Sequence, residues 1–581
     1  MKRLLVILVG LTMLVTGCTG VPQSSAPAVV RSLALGGEEE PEPTVTPLPG
    51  VLPQNLVQTF LAENSADAGK HASARSFLTP AARSRWTDTS ATIVSSISVG
   101  AYTPGKPIIV NAIELGTVST DGVYTPGLQT GKAAAQQFSF GITKVGGQYR
   151  ISSLRSGLIL TEEQFENSFV ARSIYFFDLA HRYLVPDARW TPDTDPIDTS
   201  EALINQLAAG PSPGLANAVS TDTLPAQAAT PRHIDVTSGN PVKIEIAGAS
   251  QLDVTSKNFL AAQIAATLSD IDRGRALEIT DGGTPVRIPR AGGTNFAAAD
   301  FVSDQIVQPS QQVYYLRAGQ LVYGRTRRLV GGRLADSRYP LVAVAVSRSG
   351  PGGGLSIAGV TSVDGLLRLV MGSQSVGLRR TTVSGVTSRP AFAPGRADEA
   401  WVGAGTRIYR TVLSGTKITS FPVQLPSTVA GQQVMALRLS PEGSRIALVL
   451  RDSAGHQALW IGAVVRTSAS QVSIGMPAQI SPIGVKVTDL AWIEGERLNA
   501  IGYDAKSQDA HVYRTGADGS AWTEYGIGEL PSPPTTLAGA PGAPAWASAS
   551  SNVYLQASGT VWSNPPGGSG TATGTAPTYV E

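Results

Sequence analysis

Leu439-Ser440-Pro441-Glu442-Gly443, followed by Arg445-Ile446-Ala447-Leu448-Val449, reads as a tight turn feeding a buried strand. Proline and glycine set the turn dihedrals, and an unbroken aliphatic run suits a strand covered on both faces. The same unit recurs. Phe392-Ala393-Pro394 precedes Ala400-Trp401-Val402, Trp492-Ile493-Glu494-Gly495 precedes the run 498–501, and Trp546-Ala547-Ser548 precedes 552–555; the four markers stand 47, 53 and 54 residues apart. A second run closes the units at 407–410, 459–461 and 511–514. Four short strands in each repeat of about 40 to 50 residues is the pattern of a propeller blade. With earlier runs at 341–347 and 313–316, the spacing predicts an all-β propeller of five or six blades over 296–562, then a disordered tail, 563–581, around Pro565-Pro566-Gly567-Gly568.

At 581 residues the chain is too long for one core. Its 62 glycines and 39 prolines, with only 15% charged residues, favour a β-rich, turn-rich, multidomain chain over a helical one. A formal charge of +2 gives no electrostatic case for nucleic acid as a partner.

The single cysteine, Cys18, follows Lys2-Arg3, an apolar stretch from Leu4 to Val15, and the small residues Thr16-Gly17. That is the secretory pattern, and it falls short of the roughly 20 apolar residues of a transmembrane helix. No later stretch approaches spanning length, and one cysteine cannot form a disulfide within the chain. Val15-Thr16-Gly17-Cys18 resembles the bacterial lipobox, which implies cleavage after residue 17 and acylation of Cys18, with chains such as palmitate. Two or more acyl chains retain a protein where one binds marginally, since each buried methylene contributes about 0.8 kcal/mol. Residues 1–17 are thus expected to be a lipoprotein signal peptide, and the chain to sit on the extracytoplasmic face of the plasma membrane. An ordinary secretory leader with a chance cysteine is the plainer alternative.

Residues 18–50, with Glu38-Glu39-Glu40-Pro41-Glu42-Pro43 and Pro47-Leu48-Pro49-Gly50, cannot bury a core and read as a disordered tether. From Leu56 the pattern turns helical, with Leu56/Phe60 and Val57/Leu61 at i, i+4; strand-like runs follow at 108–110, 138–142 and 149–151, and Gly146-Gly147 sits where a hairpin turn belongs. Helices first and a curved sheet after predict an α+β domain over 51–160, which loosely resembles the NTF2-like cone.

Thr161-Glu162-Glu163-Gln164 has the form of a capping box opening a second domain over 161–290. Its pieces are Ser173-Ile174-Tyr175-Phe176-Phe177, Leu184-Val185-Pro186, the helix and turn Leu203-Ile204-Asn205-Gln206-Leu207-Ala208-Ala209-Gly210-Pro211, the run 262–268 and Ile279-Thr280-Asp281-Gly282. In that order they resemble the α/β GerMN module of spore-germination proteins. Each piece also reads as strand core, helix core or turn, so the likeness specifies a fold.

Lipobox, acidic-proline tether, α+β domain, GerMN-like module and irregular propeller together resemble the actinobacterial lipoprotein family LpqB. The stretches 184–191, 202–215 and 263–268 carry the likeness best. It implies a binding and regulatory accessory of a two-component system, partnered with the extracytoplasmic domain of an MtrB-like sensor histidine kinase in cell-envelope and division signalling.

Sites for chemistry are scarce. Gly100 to Lys106 has P-loop spacing, but Pro107 stands where a hydroxyl should bind magnesium, and a strand-like run follows instead of a helix. His71, His181, His233, His456 and His511 show no ligand spacing, and no Gly-x-Ser-x-Gly elbow occurs, so no catalytic, metal or cofactor residue is assigned. Asp187 and Arg189 beside Trp190 form a recognition patch or, on the plainer reading, a turn with a surface ion pair. Asp281-Gly282-Gly283 reads as a tight turn before a ligand site. Six of the eight tryptophans (Trp401, Trp460, Trp492, Trp522, Trp546, Trp562) fall in the propeller half, where blade packing competes with carbohydrate stacking. Arg325, Arg327 and Arg328 could meet an anionic surface or lie in a solvated loop. The reading is non-enzymatic, with the GerMN-like module and the propeller's open face as contact surfaces. Its rivals are a cell-wall-directed propeller hydrolase, which needs two convergent carboxylates or a nucleophile and base at a channel mouth, and a carrier of a small apolar ligand in the cone.

Overall fold

The computed structural model describes residues 44–65, 71–127, 134–225, 235–304, 311–348, 353–504, 506–525, 527–528, 530–567 and 570–581. Residues 44–581 form one compact unit.

The first domain begins earlier than the apolar pattern suggests. Within the stretch expected to be tether, the Val45 amide donates to Ser73 Oγ (2.9 Å) and its carbonyl accepts from Ser76 Oγ (2.8 Å). Backbone hydrogen bonding holds this segment on the domain although Val45 itself is exposed. Helix α1 (Pro53–Ala62), with proline in its first turn, buries Leu56, Val57, Phe60 and Leu61; short helices α2 (Ala72–Ser76) and α3 (Pro80–Arg83) follow. Six strands come next: β1 (Ala91–Val99), β2 (Ile108–Val118), β3 (Tyr124–Pro126), β4 (Ala135–Val145), β5 (Gln148–Ser153) and β6 (Leu158–Thr161). They form one sheet in the order β5-β4-β2-β1-β6, with β3 on β2. The β4–β5 turn is Gly146-Gly147, both at positive φ. The capping box at Thr161 is complete, with Gln164 reciprocating, and opens α4 (Glu162–Ser168).

In the second domain, β7 (Phe169–Asp178) pairs in register with β8 (Leu184–Pro192). Helix α5 (Pro196–Ala209) starts well before the Leu203 run that marks it in the sequence, because Asp195 caps the Ile197 amide and Pro196 pre-sets the first turn. Strands β9 (Val219–Ser220), β10 (Val236–Thr237) and β11 (Val242–Glu245) lead to α6 (Val254–Leu268), then β12 (Leu277–Asp281), β13 (Thr284–Pro285) and β14 (Asn295–Phe296). Gln263 of α6 is fully buried; it donates to the Tyr175 carbonyl (2.9 Å) and accepts from Thr223. The Tyr175 amide donates to Thr267 Oγ1 (3.2 Å), so α6 is hydrogen-bonded to β7 at two levels.

The third domain is a propeller of six blades among the described residues. Five have four strands in succession, over 341–384, 391–423, 433–479, 485–525 and 536–563. The sixth is shared. Val313–Arg317 and Gln320–Tyr323 supply its outer strands, and Thr575–Tyr579 supplies the innermost, pairing antiparallel with Val313–Arg317. Each innermost strand touches the next, and Thr575–Tyr579 touches both Thr536–Ala540 and Leu341–Arg348, so the ring is closed.

That closure corrects the tail. Thr575–Tyr579 is a strand buried from Ala576 onward, with Tyr579 4% and the following Val580 6% exposed, where disorder was expected. Its Gly- and Pro-rich approach hides it from local patterning, and its partner lies more than 250 residues away in sequence. One repeat marker also shifts. Phe392, Leu439 and Trp492 end or directly follow innermost strands, whereas Trp546 lies in a second strand; the equivalent point is Ala540-Pro541-Gly542.

Candidate functional site

Cys18 and His233 lie outside the described residues. The Gly100–Lys106 segment is the loop of the β1–β2 hairpin, with no helix end to hold phosphate. His71 is buried in the first domain, His181 pairs with Asp222 (3.0 Å), His456 with Asp452 (3.1 Å), and His511 with Glu524 (2.5 Å). Among the described residues no three histidine, cysteine, aspartate or glutamate side chains gather as metal ligands. Asp281-Gly282-Gly283 is the β12–β13 turn: both glycines have positive φ, and Glu245 accepts from both of their amides.

Asp187 and Arg189 are neither patch nor surface pair. They alternate on β8 and are 3% and 1% exposed, with Nη1 3.0 Å from Oδ2. Asp187 accepts from the Ser212 amide (2.7 Å), and Arg189 Nη2 donates to the Gly210 carbonyl (3.1 Å). A buried pair clamps the turn that ends α5, joining two of the stretches that looked GerMN-like.

Trp190, the next residue, stands at a junction of all three domains. Its ring lies 4.7 Å from Phe165 and 6.3 Å from Tyr124, and its Nε1 donates to Asp518 of the propeller (3.2 Å). Two more contacts dock the GerMN-like domain on the propeller. Ser173 donates to the half-buried Glu496, and Arg445, paired with Glu442 at 3.2 Å, donates to the Pro186 carbonyl. Burial pushes the Glu496 carboxyl up.

Arg327 is also structural: its guanidinium holds the Pro565 and Gly570 carbonyls, while Arg325 and Arg328 are exposed. Of the propeller tryptophans, Trp401, Trp546 and Trp562 are buried between strands. Trp401 donates to Glu399 (2.8 Å), which also meets Arg410 (3.0 Å) and, from the next blade, Arg466 (2.6 Å). Trp492 differs, because it borders a cavity.

That cavity, about 990 Å³, lies at the propeller's centre, where an enclosed, partly apolar space suits a ligand. Its walls are the innermost strands, and its mouth is made by the repeated turns, Pro394-Gly395, Pro441 and Pro541. The β7–β8 hairpin of the GerMN-like domain reaches this mouth with Arg182 and Tyr183. The turn is held by Asp178 Oδ1, which accepts from the amides of both. Gly395, at φ +67°, lies so close that a Cβ there would stand 3.1 Å from Tyr183 Oη. Sequence pattern marked the turns at Pro394 and Pro441 as repeat points; that they converge with Pro541 on one mouth follows only from ring closure.

The lining carries five arginines (182, 348, 389, 396, 438) against two carboxylates, Asp398 and Glu581. Arg389 bonds Asp489 (2.6 Å) and the carbonyls of Leu537 (2.7 Å) and Pro577 (3.2 Å); burial and the neighbouring Arg438 lower its pKa to about 10. Glu581 accepts from the Phe392 amide, and burial lifts its carboxyl to about 7, against the pull of Arg438 and Arg389.

In the core of the first domain Phe60 meets Trp86 at 5.7 Å and Phe140 at 5.9 Å, edge to face.

An α+β domain, a GerMN-type domain and a closed propeller interlocked through Trp190 define a multidomain protein of the propeller class. Family models agree domain by domain: "Lipoprotein LpqB, N-terminal domain" matches 46–166, the "Germane" model of sporulation and spore germination matches 173–287, and "Lipoprotein LpqB beta-propeller domain" matches 319–579. The chain belongs to the LpqB lipoprotein family. It is 28% identical over 557 residues to lipoprotein LpqB of Mycobacterium leprae and 27% over 554 to that of Mycolicibacterium smegmatis, covering 90% of both chains in each comparison. Among solved structures it is similar to the β-propeller domain of the Trilobed protease from Pyrococcus furiosus, at 10% identity and a TM-score of 0.22, over 37% of this chain and 82% of that one. No helix among the described residues is long and apolar enough to cross a membrane.

Proposed function

We propose that the chain is a lipoprotein anchored through Cys18 on the extracytoplasmic face of the plasma membrane, where it serves as a binding and regulatory accessory of a sensor histidine kinase. The observation that carries this reading is the interlocking of three recognition domains into one compact unit. A body joined that way presents its surfaces in fixed relation, as a regulator that meets a partner over a broad face requires. Family membership supports the same role.

The test is crosslinking of the anchored protein in its own cells, with the captured partner identified by mass spectrometry. A sensor-kinase outer domain among the products supports the accessory role; its absence at several crosslinker positions on the GerMN-type domain and propeller rejects it.

A second reading, a wall-directed hydrolase, has one observation on its side. Asp398 and Glu581 both line the channel cavity, and their environments differ. Release of soluble fragments from purified cell wall, lost in Glu581→Gln, would establish it.

A further inference from the structure

Arg438 sits on the innermost strand of the third blade and is 8% exposed. Its Nη1 donates to the carbonyls of Leu437 (2.6 Å) and Pro390 (3.4 Å), while no carboxylate lies within ion-pair distance of it among the described residues. Arg396, on the mouth, is exposed and has neither a hydrogen bond nor an ion pair from its guanidinium among those residues. Among the described residues Arg348 bonds the Gly353 carbonyl (3.1 Å) and the Tyr314 hydroxyl (3.5 Å) and no carboxylate.

Three cations with no carboxylate within ion-pair distance among the described residues thus face one cavity, and although Glu581 attracts Arg438 the lining still sets five arginines against two carboxylates. Holding a guanidinium in a partly dehydrated channel costs free energy unless an anion shares the space. Arg389 shows the alternative, since Asp489 neutralises it from behind the wall. Beside them the lining carries apolar and aromatic side chains, among them Phe392, Leu439, Trp492, Ala538 and Ala540. Arginines at fixed points in an apolar chamber are the chemistry of a site for an organic anion, with donors that fix the charged group and walls that take the body.

We propose that the propeller channel binds a small amphiphilic organic anion, a phosphate or carboxylate on an apolar body. Arg438 and Arg396 take the charged group, and Trp492 with Phe392 and Leu439 covers the apolar part. The hairpin carrying Arg182 and Tyr183 closes over one side of the mouth, so occupancy of the channel is reported directly to the GerMN-type domain. The site stands independently of the kinase partnership.

Isothermal titration of the full chain in a chloride buffer uses phenyl phosphate, inorganic phosphate and phenol. Phenyl phosphate is expected to bind and phenol not to. Inorganic phosphate should bind more weakly than phenyl phosphate, because it leaves the apolar wall uncovered. Arg396→Gln and Arg438→Gln should each weaken phenyl phosphate about tenfold, the effect of losing one charge-assisted contact. Arg396 is on the open mouth, so its variant tests the site even where Arg438→Gln perturbs folding. No heat with phenyl phosphate at millimolar concentration, or equal affinity in wild type and Arg396→Gln, would overturn the proposal. Inorganic phosphate binding as tightly as phenyl phosphate would overturn the assigned role of the apolar wall.

Discussion

The Trp190 indole of the GerMN-type domain donates to the Asp518 carboxylate of the propeller at 3.2 Å, while its ring packs on Phe165 of the helix that joins the first two domains. One side chain therefore serves two interfaces by different means, a polar edge to one neighbour and an apolar face to the other.

Trp190→Phe separates the two. It keeps the ring contact and deletes the donor, so it should cost about 0.5–1.5 kcal/mol, as loss of a hydrogen bond does. Trp190→Ala should cost more and open the junction. Denaturant titration followed by circular dichroism, with limited proteolysis between the domains, checks both. In a cycle with Asp518→Ala, additivity of the two single changes would refute the coupling.

The Asp187–Arg189 pair gives a sharper test, since both groups are buried. Arg189→Ala leaves a charged carboxylate without its partner and should destabilise the second domain by about 3–5 kcal/mol. Asp187→Leu combined with Arg189→Met should recover much of that loss. The midpoint of the unfolding transition reports the result; a near-neutral Arg189→Ala would contradict the clamp.

Glu581 predicts a pH dependence with a definite sign. Its folded pKa, about 7, is above the unfolded value because burial disfavours the carboxylate more than Arg438 and Arg389 restore it. The folded state then binds the proton more tightly, so this group's contribution is fully present below the unfolded pKa and is lost as pH rises through 7. Glu581→Gln, which cannot ionise, should gain melting temperature relative to wild type between pH 5 and pH 8. Parallel curves for the two proteins would refute the assignment.

Cys18→Ala should leave the three domains folded and release the protein from membranes. Fractionation of cells expressing the variant measures this. Unchanged partitioning with membranes would remove the lipid anchor from the functional reading.

Much of the architecture was legible locally, for reasons particular to its residues. Gly146-Gly147 and Asp281-Gly282-Gly283 announced hairpins because positive φ leaves few alternatives to glycine. Thr161 and Gln164 announced a helix start because the two halves of a capping box stand three residues apart. Asp187 and Arg189 were misread for the opposite reason: charge signals surface, and only the turn at Gly210-Pro211-Ser212, folded back over β8, buries them.

By itself the sequence determined the repeat of turns and buried runs and the order of three domains, since dihedral preference, alternation and hydropathy act over a few residues. Only the tertiary structure decided that Thr575–Tyr579 closes the ring onto Val313–Arg317, that the blade turns converge on one mouth, and that five arginines from separate strands and loops share one cavity. Each of these depends on pairing between residues tens to hundreds of positions apart, where register and closure of the whole ring, not local propensity, choose the partner.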